Sequence, residues 1–104
     1  MLEVATARAG ERLIVALRGE LDLGTRDRLT LAVADALTDE VQVIELEMEA
    51  VSFCDSAGLA SIVGLHHAAG AEGKVLQLRG VRRSLRRILE ITGLTYLMEG
   101  SVPT

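Results

Sequence analysis

The sequence predicts an α/β domain with a mixed β-sheet of four to five strands and three or four helices, in the order β-β-α-β-α-β-α-β. Two strand-like segments open the chain, and helical stripes then alternate with short apolar strands, which is the pattern of this class. With 104 residues, of which 49% are hydrophobic, the chain fits one domain with a single core, spanning residues 1–104. The alternating units place parallel strands next to one another, while periodicity leaves the order of the strands open.

The first two strands are predicted at residues 2–7 and 12–18, joined as a hairpin across Gly10 and Glu11. Apolar residues fall on both faces of the second strand: Leu13, Val15 and Leu17 on one, Ile14 and Ala16 on the other. Both faces are therefore expected to be largely covered.

The segment GELDLGT, residues 19–25, closes the second strand and leads to a helix predicted over residues 26–37. Thr25 is the expected N-cap of this helix, because a hydroxyl can accept a hydrogen bond from a free backbone N–H. One helical stripe is apolar: Leu29, Val33, Ala36 and Leu37.

The clearest strand is VQVIELEM, residues 41–48. Its side chains separate by face: Ile44, Leu46 and Met48 on one, Val43, Glu45 and Glu47 on the other. One face of the sheet is therefore expected to be more exposed to solvent than the other.

The second half of the chain continues the alternation. A helix is predicted over residues 56–71, a strand over 74–79, a helix over 81–93 and a short last strand over 94–98. The residues expected to face inward on the two helices are Leu59, Ile62, Val63 and His66, and Val81, Leu85, Ile88 and Leu89.

Composition excludes several classes of protein. Phe53 and Tyr96 are the only aromatic residues, which argues against binding of single-stranded nucleic acid by base stacking. The single cysteine, Cys54, cannot form an internal disulfide, suits a reducing cytoplasm and is expected to be a buried small hydrophobe. Neither an export signal nor an apolar run of about 18 residues is visible, so a soluble cytoplasmic protein without membrane insertion is expected.

Charge is unevenly spread along the chain. Residues 1–73 carry 13 acidic against 5 basic residues, whereas residues 74–104 carry 6 basic against 2 acidic. This asymmetry either orients a partner electrostatically or marks two solvated faces, and both interpretations stay open. The basic run at 79–87, RGVRRSLRR, has the spacing of the polar face of an amphipathic helix, so no direct contact with nucleic acid is predicted.

Catalytic chemistry finds little support. A serine nucleophile needs a base within hydrogen-bond reach, and His66 lies ten residues beyond Ser56, about 15 Å along a helix. His66 and His67 point about 100° apart on a helix and make a poor metal pair. No phosphate-binding glycine motif is present. We therefore predict no catalytic residue, no metal and no cofactor, and a protein that is not an enzyme.

Ser56 is the residue that these exclusions leave. In FCDSAGL, residues 53–59, a strand-like stretch stops, and a helix is expected to begin at Asp55 or Ser56. A hydroxyl there lies among free backbone N–H groups at the positive end of the helix, where a phosphoryl group is well received. Ala57 and Gly58 leave the approach open to a second protein. The alternative is that Ser56 only caps the helix.

Two motifs resemble those of a known family. VSFCDSAGLASIVGLHHAA, following VQVIELEM, is similar to the phosphorylation-site region of STAS domains, specifically of bacterial anti-sigma factor antagonists. GELDLGT resembles the loop after the second strand of that family, and the likeness covers nearly the whole chain, which implies a STAS-like single domain. Two departures are Ala57, where many members have a second serine, and a C-terminal helix that looks missing or vestigial after Met98.

The resemblance implies a switch. The unmodified antagonist binds an anti-sigma factor that is a serine kinase, and so releases a sigma factor for transcription. The kinase phosphorylates the serine that corresponds to Ser56, the complex separates, and a phosphoserine phosphatase resets the antagonist. The residues implied in partner binding are Glu20, Asp22, Thr25, Asp55, Ser56, Ala57, Gly58 and Leu59.

Two other functions stay open at this stage. A STAS accessory subunit of a membrane transporter, as in lipid-trafficking ABC systems, would use the same helix as a docking surface without phosphorylation. An enzyme that uses Ser56 or the acidic residues is disfavoured, because no general base or metal-ligand set accompanies them. The expected assembly state is a monomer or weak dimer.

Overall fold

The computed structural model describes residues 1–99, and it contains four strands and four helices. The strands are β1 (Leu2–Ala9), β2 (Arg12–Leu21), β3 (Val43–Cys54) and β4 (Val75–Arg79). The helices are α1 (Arg26–Ala34), α2 (Ser56–Ala71), α3 (Arg83–Thr92) and α4 (Tyr96–Glu99), and a 3-10 turn, Asp35–Leu37, prolongs α1. The predicted α/β class and element order are confirmed through α3. Residues 100–104 of the predicted domain lie outside the described residues.

The sheet is mixed, with the strand order β1-β2-β3-β4. β1 and β2 form the predicted antiparallel hairpin, while β3 runs parallel to both β2 and β4. Because β2 and β3 are parallel, their C-terminal ends meet at one edge of the sheet, where Glu20 pairs with Phe53 and Leu21 with Cys54. This edge brings the two motifs found in the sequence together.

The core lies on one face of the sheet, under the helices. Its largest fully buried side chains are aliphatic: Leu2, Leu17, Leu21, Leu29, Ile44, Leu46, Met48, Ile62, Leu76, Leu78, Leu89 and Leu97. Burying each such side chain contributes roughly 1.5–3 kcal/mol, so an almost purely aliphatic core suffices for this chain. The expectation that both faces of β2 are covered is wrong. Ala16 is exposed and Ile14 half-buried, because the buried residues of the sheet lie on the opposite face.

The reverse face is polar, as predicted for β3, but one of its acids is buried. Glu45 is 6% exposed and accepts hydrogen bonds from Arg12 Nη1 at 2.6 Å and Arg79 Nε at 3.3 Å. Burial raises the pKa of Glu45, but the hydrogen bonds with Arg79 and Glu47 and the charges of Arg79 and Arg12 outweigh it and leave that pKa lowered. The pKa of Glu47 is raised, by burial and by the neighbouring Glu45.

Two predictions near the C-terminal end of the chain are wrong. The last strand expected over 94–98 is instead α4, whose Leu97 is fully buried. Gly93 ends α3 in the left-handed conformation, with φ 75°, and Leu94 N–H then donates to the Leu89 carbonyl, so the chain turns back into a second helix. Ile88, expected to point inward, is 42% exposed.

Candidate functional site

The N-terminus of α2 is capped by Asp55. Its carboxylate Oδ1 accepts a hydrogen bond from Gly58 N–H at 2.8 Å, and its carbonyl accepts from Leu59 N–H at 2.9 Å. The Asp55 backbone is extended, as expected for the residue that precedes the first helical turn. The helix therefore starts at Ser56, as the sequence predicted.

Ser56 is free of the capping role. Its side chain is exposed, and within residues 1–99 its hydroxyl makes no hydrogen bond. Ser61, one turn later, contrasts with it, because the Ser61 hydroxyl donates to the Gly58 carbonyl at 2.7 Å. The interpretation of Ser56 as a simple cap is wrong, because the Asp55 side chain caps the helix. The Ser56 hydroxyl is therefore available to a second molecule.

The GELDLGT loop is held by Asp22 and Thr25. Asp22 Oδ1 accepts hydrogen bonds from the N–H groups of Gly24 and Thr25, both at 3.0 Å. The Thr25 hydroxyl donates to the Glu20 carbonyl at 2.7 Å and accepts from Asp22 N–H at 3.0 Å. Thr25 occupies the N-cap position of α1, as predicted, but its side chain does not make the expected capping hydrogen bond. The hydroxyl closes the loop instead.

The loop and α2 are joined through the Leu21 carbonyl. That oxygen accepts a hydrogen bond from Asp55 N–H at 3.2 Å, and Gly58 lies so close that a Cβ there would be 2.4 Å from it. Gly58 is buried for this reason. The sequence did not point to Leu21, because a backbone acceptor has no side-chain signature. Its role follows only from strand pairing.

The assembled edge carries three half-buried acids and one exposed hydroxyl. Glu20, Asp22 and Asp55 are half-buried at the ends of neighbouring parallel strands, while Ser56 stands at the positive end of α2. Ala57 and Leu59 are half-buried in the first turn of the helix. The structure thus brings all eight predicted site residues into one region, with Gly58 and Thr25 serving to hold its shape.

Two neighbours of the site differ in chemistry. Cys54 is half-buried, and burial together with the charge of Asp55 raises the pKa of its thiol to about 11, so the thiol stays protonated and unreactive at neutral pH. Phe53 is 53% exposed, which the sequence did not indicate. A register shift of β3 against β2 next to Ser52 leaves both Ser52 and Phe53 exposed.

The histidines lie away from this edge and pack against other rings. His66 is buried, with its ring centroid 5.0 Å from that of Tyr96 and 5.8 Å from that of His67. In the described part of the chain, no group of three or more His, Cys, Asp or Glu side chains is arranged to hold a metal ion. None of the helices within residues 1–99 has the length and apolarity to cross a membrane.

Comparison with known proteins gives consistent matches. The family model described as "Mlab, STAS domain" matches residues 4–99. An anti-sigma-B factor antagonist of Staphylococcus aureus (strain NCTC 8325 / PS 47) is 34% identical over 97 residues, covering 93% of this chain and 90% of the relative. An anti-sigma F factor antagonist of Paenibacillus polymyxa is 31% identical over 87 residues, covering 83% of this chain and 74% of the relative.

Solved structures show the same fold at lower identity. The anti-sigma factor antagonist SpoIIAA in its unphosphorylated form superposes with a TM-score of 0.79 at 21% identity, covering 92% of this chain and 85% of that one. SpoIIAA of Bacillus in its phosphorylated form gives a TM-score of 0.76 at 22% identity, with 92% and 88% covered. From the family model and the curated relatives, we conclude that this chain belongs to the STAS domain family and groups there with the anti-sigma factor antagonists.

Proposed function

We propose that this protein antagonises an anti-sigma factor that is a serine kinase, and that phosphorylation of Ser56 by this kinase ends their binding. A phosphoserine phosphatase would restore the unmodified form, and the sigma factor would be free while the complex lasts. One observation carries the proposal. The Ser56 hydroxyl is exposed and without a hydrogen bond in the described structure, at a helix start already capped by Asp55.

The fold can accept a phosphate at this position. The first backbone N–H groups of a helix have no carbonyl partner within the helix, and the helix dipole favours negative charge there by about 0.3–1 kcal/mol. Ser56 projects from the first helical residue into solvent, so the group would enter without displacing a core side chain. We therefore expect the phosphorylated protein to stay folded.

The complex with the anti-sigma factor would be destabilised by a phosphate on Ser56. Phosphorylation adds a charge of about −1.5 to −2, which would be buried at an interface beside Asp55 and in the same region as Asp22. Repulsion from these acids and the cost of removing the phosphate from water act together. A hundredfold loss of affinity needs only about 2.7 kcal/mol, which one misplaced dianion can supply.

The proposal describes a regulator rather than an enzyme. Within residues 1–99 no base is hydrogen-bonded to the Ser56 hydroxyl, and His66 is buried against Tyr96. ATP would be bound by the kinase, so this chain would need no cofactor of its own. Because the kinase and the sigma factor act on transcription, we place the protein in the cytoplasm, as a monomer or weak dimer.

The test starts from the partner. Ser56→Ala, used as bait in the source cell, should retain a serine kinase that mass spectrometry can identify. The purified kinase with ATP should then add one phosphate to the unaltered chain and none to Ser56→Ala. Thr30→Ala, which removes an exposed hydroxyl on α1, is the control and should still be phosphorylated.

Binding to the purified kinase is the second measurement. Ser56→Asp should weaken it about a hundredfold relative to the unaltered chain, as measured by calorimetry in the absence of ATP. A chain that gains no phosphate from the kinase it binds, or a Ser56→Asp variant that binds with unchanged affinity, would contradict the proposal. Retention of a transporter ATPase subunit instead of a kinase would support the accessory-subunit alternative.

A further inference from the structure

A groove runs beside the site, between the C-terminal half of β3 and α3. It encloses about 230 Å³ and is lined by Met48, Phe53, Cys54, Arg82, Leu85 and Ile88, together with Val51 and two serines. Phe53 and Cys54 directly precede Asp55 in the chain, so the groove is continuous with the edge that carries Ser56. Most of its lining side chains are apolar.

Two large apolar side chains of the groove are open to water. Phe53 is 53% exposed and Ile88 is 42% exposed, whereas the apolar side chains of the core are almost completely buried. Ile91, one turn after Ile88 on α3, is exposed as well. Apolar surface of this kind gains free energy when a partner side chain covers it, and aromatic residues are enriched at protein interfaces.

Four arginines lie on the exposed surface of α3 and at its N-cap, Arg82, and are together called the arginines of α3. Arg82, Arg83, Arg86 and Arg87 are all exposed, and within the described structure none of them forms an ion pair with a carboxylate. Arg82 is held in place, because its Nε donates to the Glu49 carbonyl of β3 at 2.8 Å. Four arginines without intramolecular carboxylate partners complement an acidic surface on another molecule.

We propose that this groove, with the arginines of α3, binds a segment of the anti-sigma factor in which an apolar side chain is flanked by Asp or Glu. The proposal rests on the function proposed above and adds a second contact to the one at Ser56. The apolar side chain would lie against Phe53 and Ile88, and the carboxylates would pair with Arg86 and Arg87. Acids of the loop on one side and arginines of α3 on the other would then fix the orientation of the partner.

The charges disfavour a second copy of this chain in the groove. A symmetric dimer through α3 would bring two sets of four arginines together, and like charges placed opposite one another cost free energy. A partner segment that carries carboxylates meets no such penalty.

A crosslinking experiment tests the contact directly. The photoreactive residue p-benzoylphenylalanine in place of Phe53 should crosslink to the purified kinase, at a peptide that contains an apolar residue next to Asp or Glu. The same residue in place of Leu31, which is 75% exposed on α1, is the control and should give no crosslink. Crosslinks at Phe53 to a peptide without acidic residues, or none at all in a complex that forms, would overturn the proposal.

Affinity gives an independent measurement. Phe53→Ala and the double variant Arg86→Glu, Arg87→Glu should each weaken kinase binding at least tenfold, whereas Arg28→Glu on α1 should leave it within twofold. Thermal melting establishes that each variant is folded before it is used. Unchanged affinity of the groove variants, with binding still lost in Ser56→Asp, would overturn the groove proposal alone. A dimer in ultracentrifugation that Phe53→Ala dissolves would also overturn it, in favour of self-association.

Discussion

At the scale of single residues, capping and chemistry are divided between two neighbours. Asp55 accepts the hydrogen bond of Gly58 N–H, so the adjacent Ser56 begins the helix with its hydroxyl unused within the described residues. If Ser56 were the cap, the backbone would compete with any incoming group for its oxygen. The order Asp-Ser therefore gives both a stable helix start and an available hydroxyl.

Removal of the cap should be measurable. We expect Asp55→Ala to lower the free energy of unfolding by about 1 kcal/mol, because Gly58 N–H loses its acceptor. Urea unfolding measures this change. Glu90→Ala, which removes an exposed acid in the last turn of α3, is the control and should stay within about 0.5 kcal/mol of the unaltered chain. Equal effects of the two substitutions would contradict the capping role.

Gly58 and Gly64 make a matched pair on the same helix. A Cβ at Gly58 would lie 2.4 Å from the Leu21 carbonyl oxygen, whereas at Gly64 it would meet nothing within 4 Å. We expect Gly58→Ala to destabilise the fold by about 1–3 kcal/mol through this overlap. Gly64→Ala should stabilise it by about 0.5–1 kcal/mol, because alanine favours the helix. Chemical denaturation distinguishes the two, and changes of the same sign would be inconsistent with the close approach of α2 to the loop.

At the scale of elements, one buried acid ties three strands together. Arg12 of β2 and Arg79 of β4 both donate to Glu45 of β3, on the side of the sheet opposite the helices. The neighbouring Glu47 carboxyl interacts with Glu45, and its pKa is raised whereas that of Glu45 is lowered. The two acids should therefore respond to pH with opposite signs.

The sign follows from the direction of each pKa shift. The pKa of Glu45 lies below its ordinary value of 4.5, so its charged form stabilises the fold at neutral pH, and this contribution is lost as the pH falls through the lowered pKa. The pKa of Glu47 is raised, so its ionisation weakens the fold once the pH rises above 4.5. At pH 7, Glu45→Gln should cost about 1–3 kcal/mol, whereas Glu47→Gln should stabilise.

Unfolding free energies at pH 7 and at pH 3 to 4 check this pair. The gain from Glu47→Gln should shrink at the lower pH, where Glu47 binds a proton in the folded protein. A gain that grows on acidification would show that the two carboxylates do not interact in the folded state. Gln77→Ala, on β4 beside Glu45, is a control without a titrating group.

At the scale of the whole molecule, the two halves of the chain supply surfaces of opposite charge. Acidic residues of the loop after β2 and of the start of α2 lie on one side of the proposed interface, and the arginines of α3 on the other. The salt dependence of the association rate would distinguish the two interpretations of the charge asymmetry in the sequence. A surface that steers a partner gives an association rate that falls with salt, whereas two merely solvated faces give a rate that does not.

A switch that acts at the interface should leave the fold nearly unchanged. We expect Ser56→Asp to keep the circular dichroism spectrum of the unaltered chain and a free energy of unfolding within about 1 kcal/mol of it, because the helix end tolerates the charge. Ser61→Asp is the comparison, since its hydroxyl is half-buried and bonded to the Gly58 carbonyl, and it should destabilise more. Loss of folded structure in Ser56→Asp would mean that charge at this position acts by unfolding rather than by repulsion.

The sequence predicted those elements whose pattern is local. The start of α2 at Ser56, its end at Ala71 and the hairpin of β1 and β2 agree with the structure, because their signals are the periodicity of the helix and the glycine-containing turn. Predictions failed where contacts with residues outside the local pattern determine the structure. In place of the last strand, the chain forms the helix Tyr96–Glu99, because Leu97 packs into the core. The Thr25 hydroxyl bonds to the Glu20 carbonyl in place of a helical N–H, because the loop folds back on itself.

By itself, therefore, the sequence determined the class of fold, the boundaries of its principal helix, the family likeness and the serine at the helix start, since each depends on residues close together in the chain. Only the tertiary structure decided that Asp55 is the cap in place of Ser56. It also decided that the two motifs meet where Gly58 approaches the Leu21 carbonyl, and that Phe53 and Ile88 remain exposed beside the arginines of α3. The physical reason is that hydrogen-bond partners, close backbone approach and exposure are properties of parallel strands and packed helices, which bring together residues more than thirty positions apart.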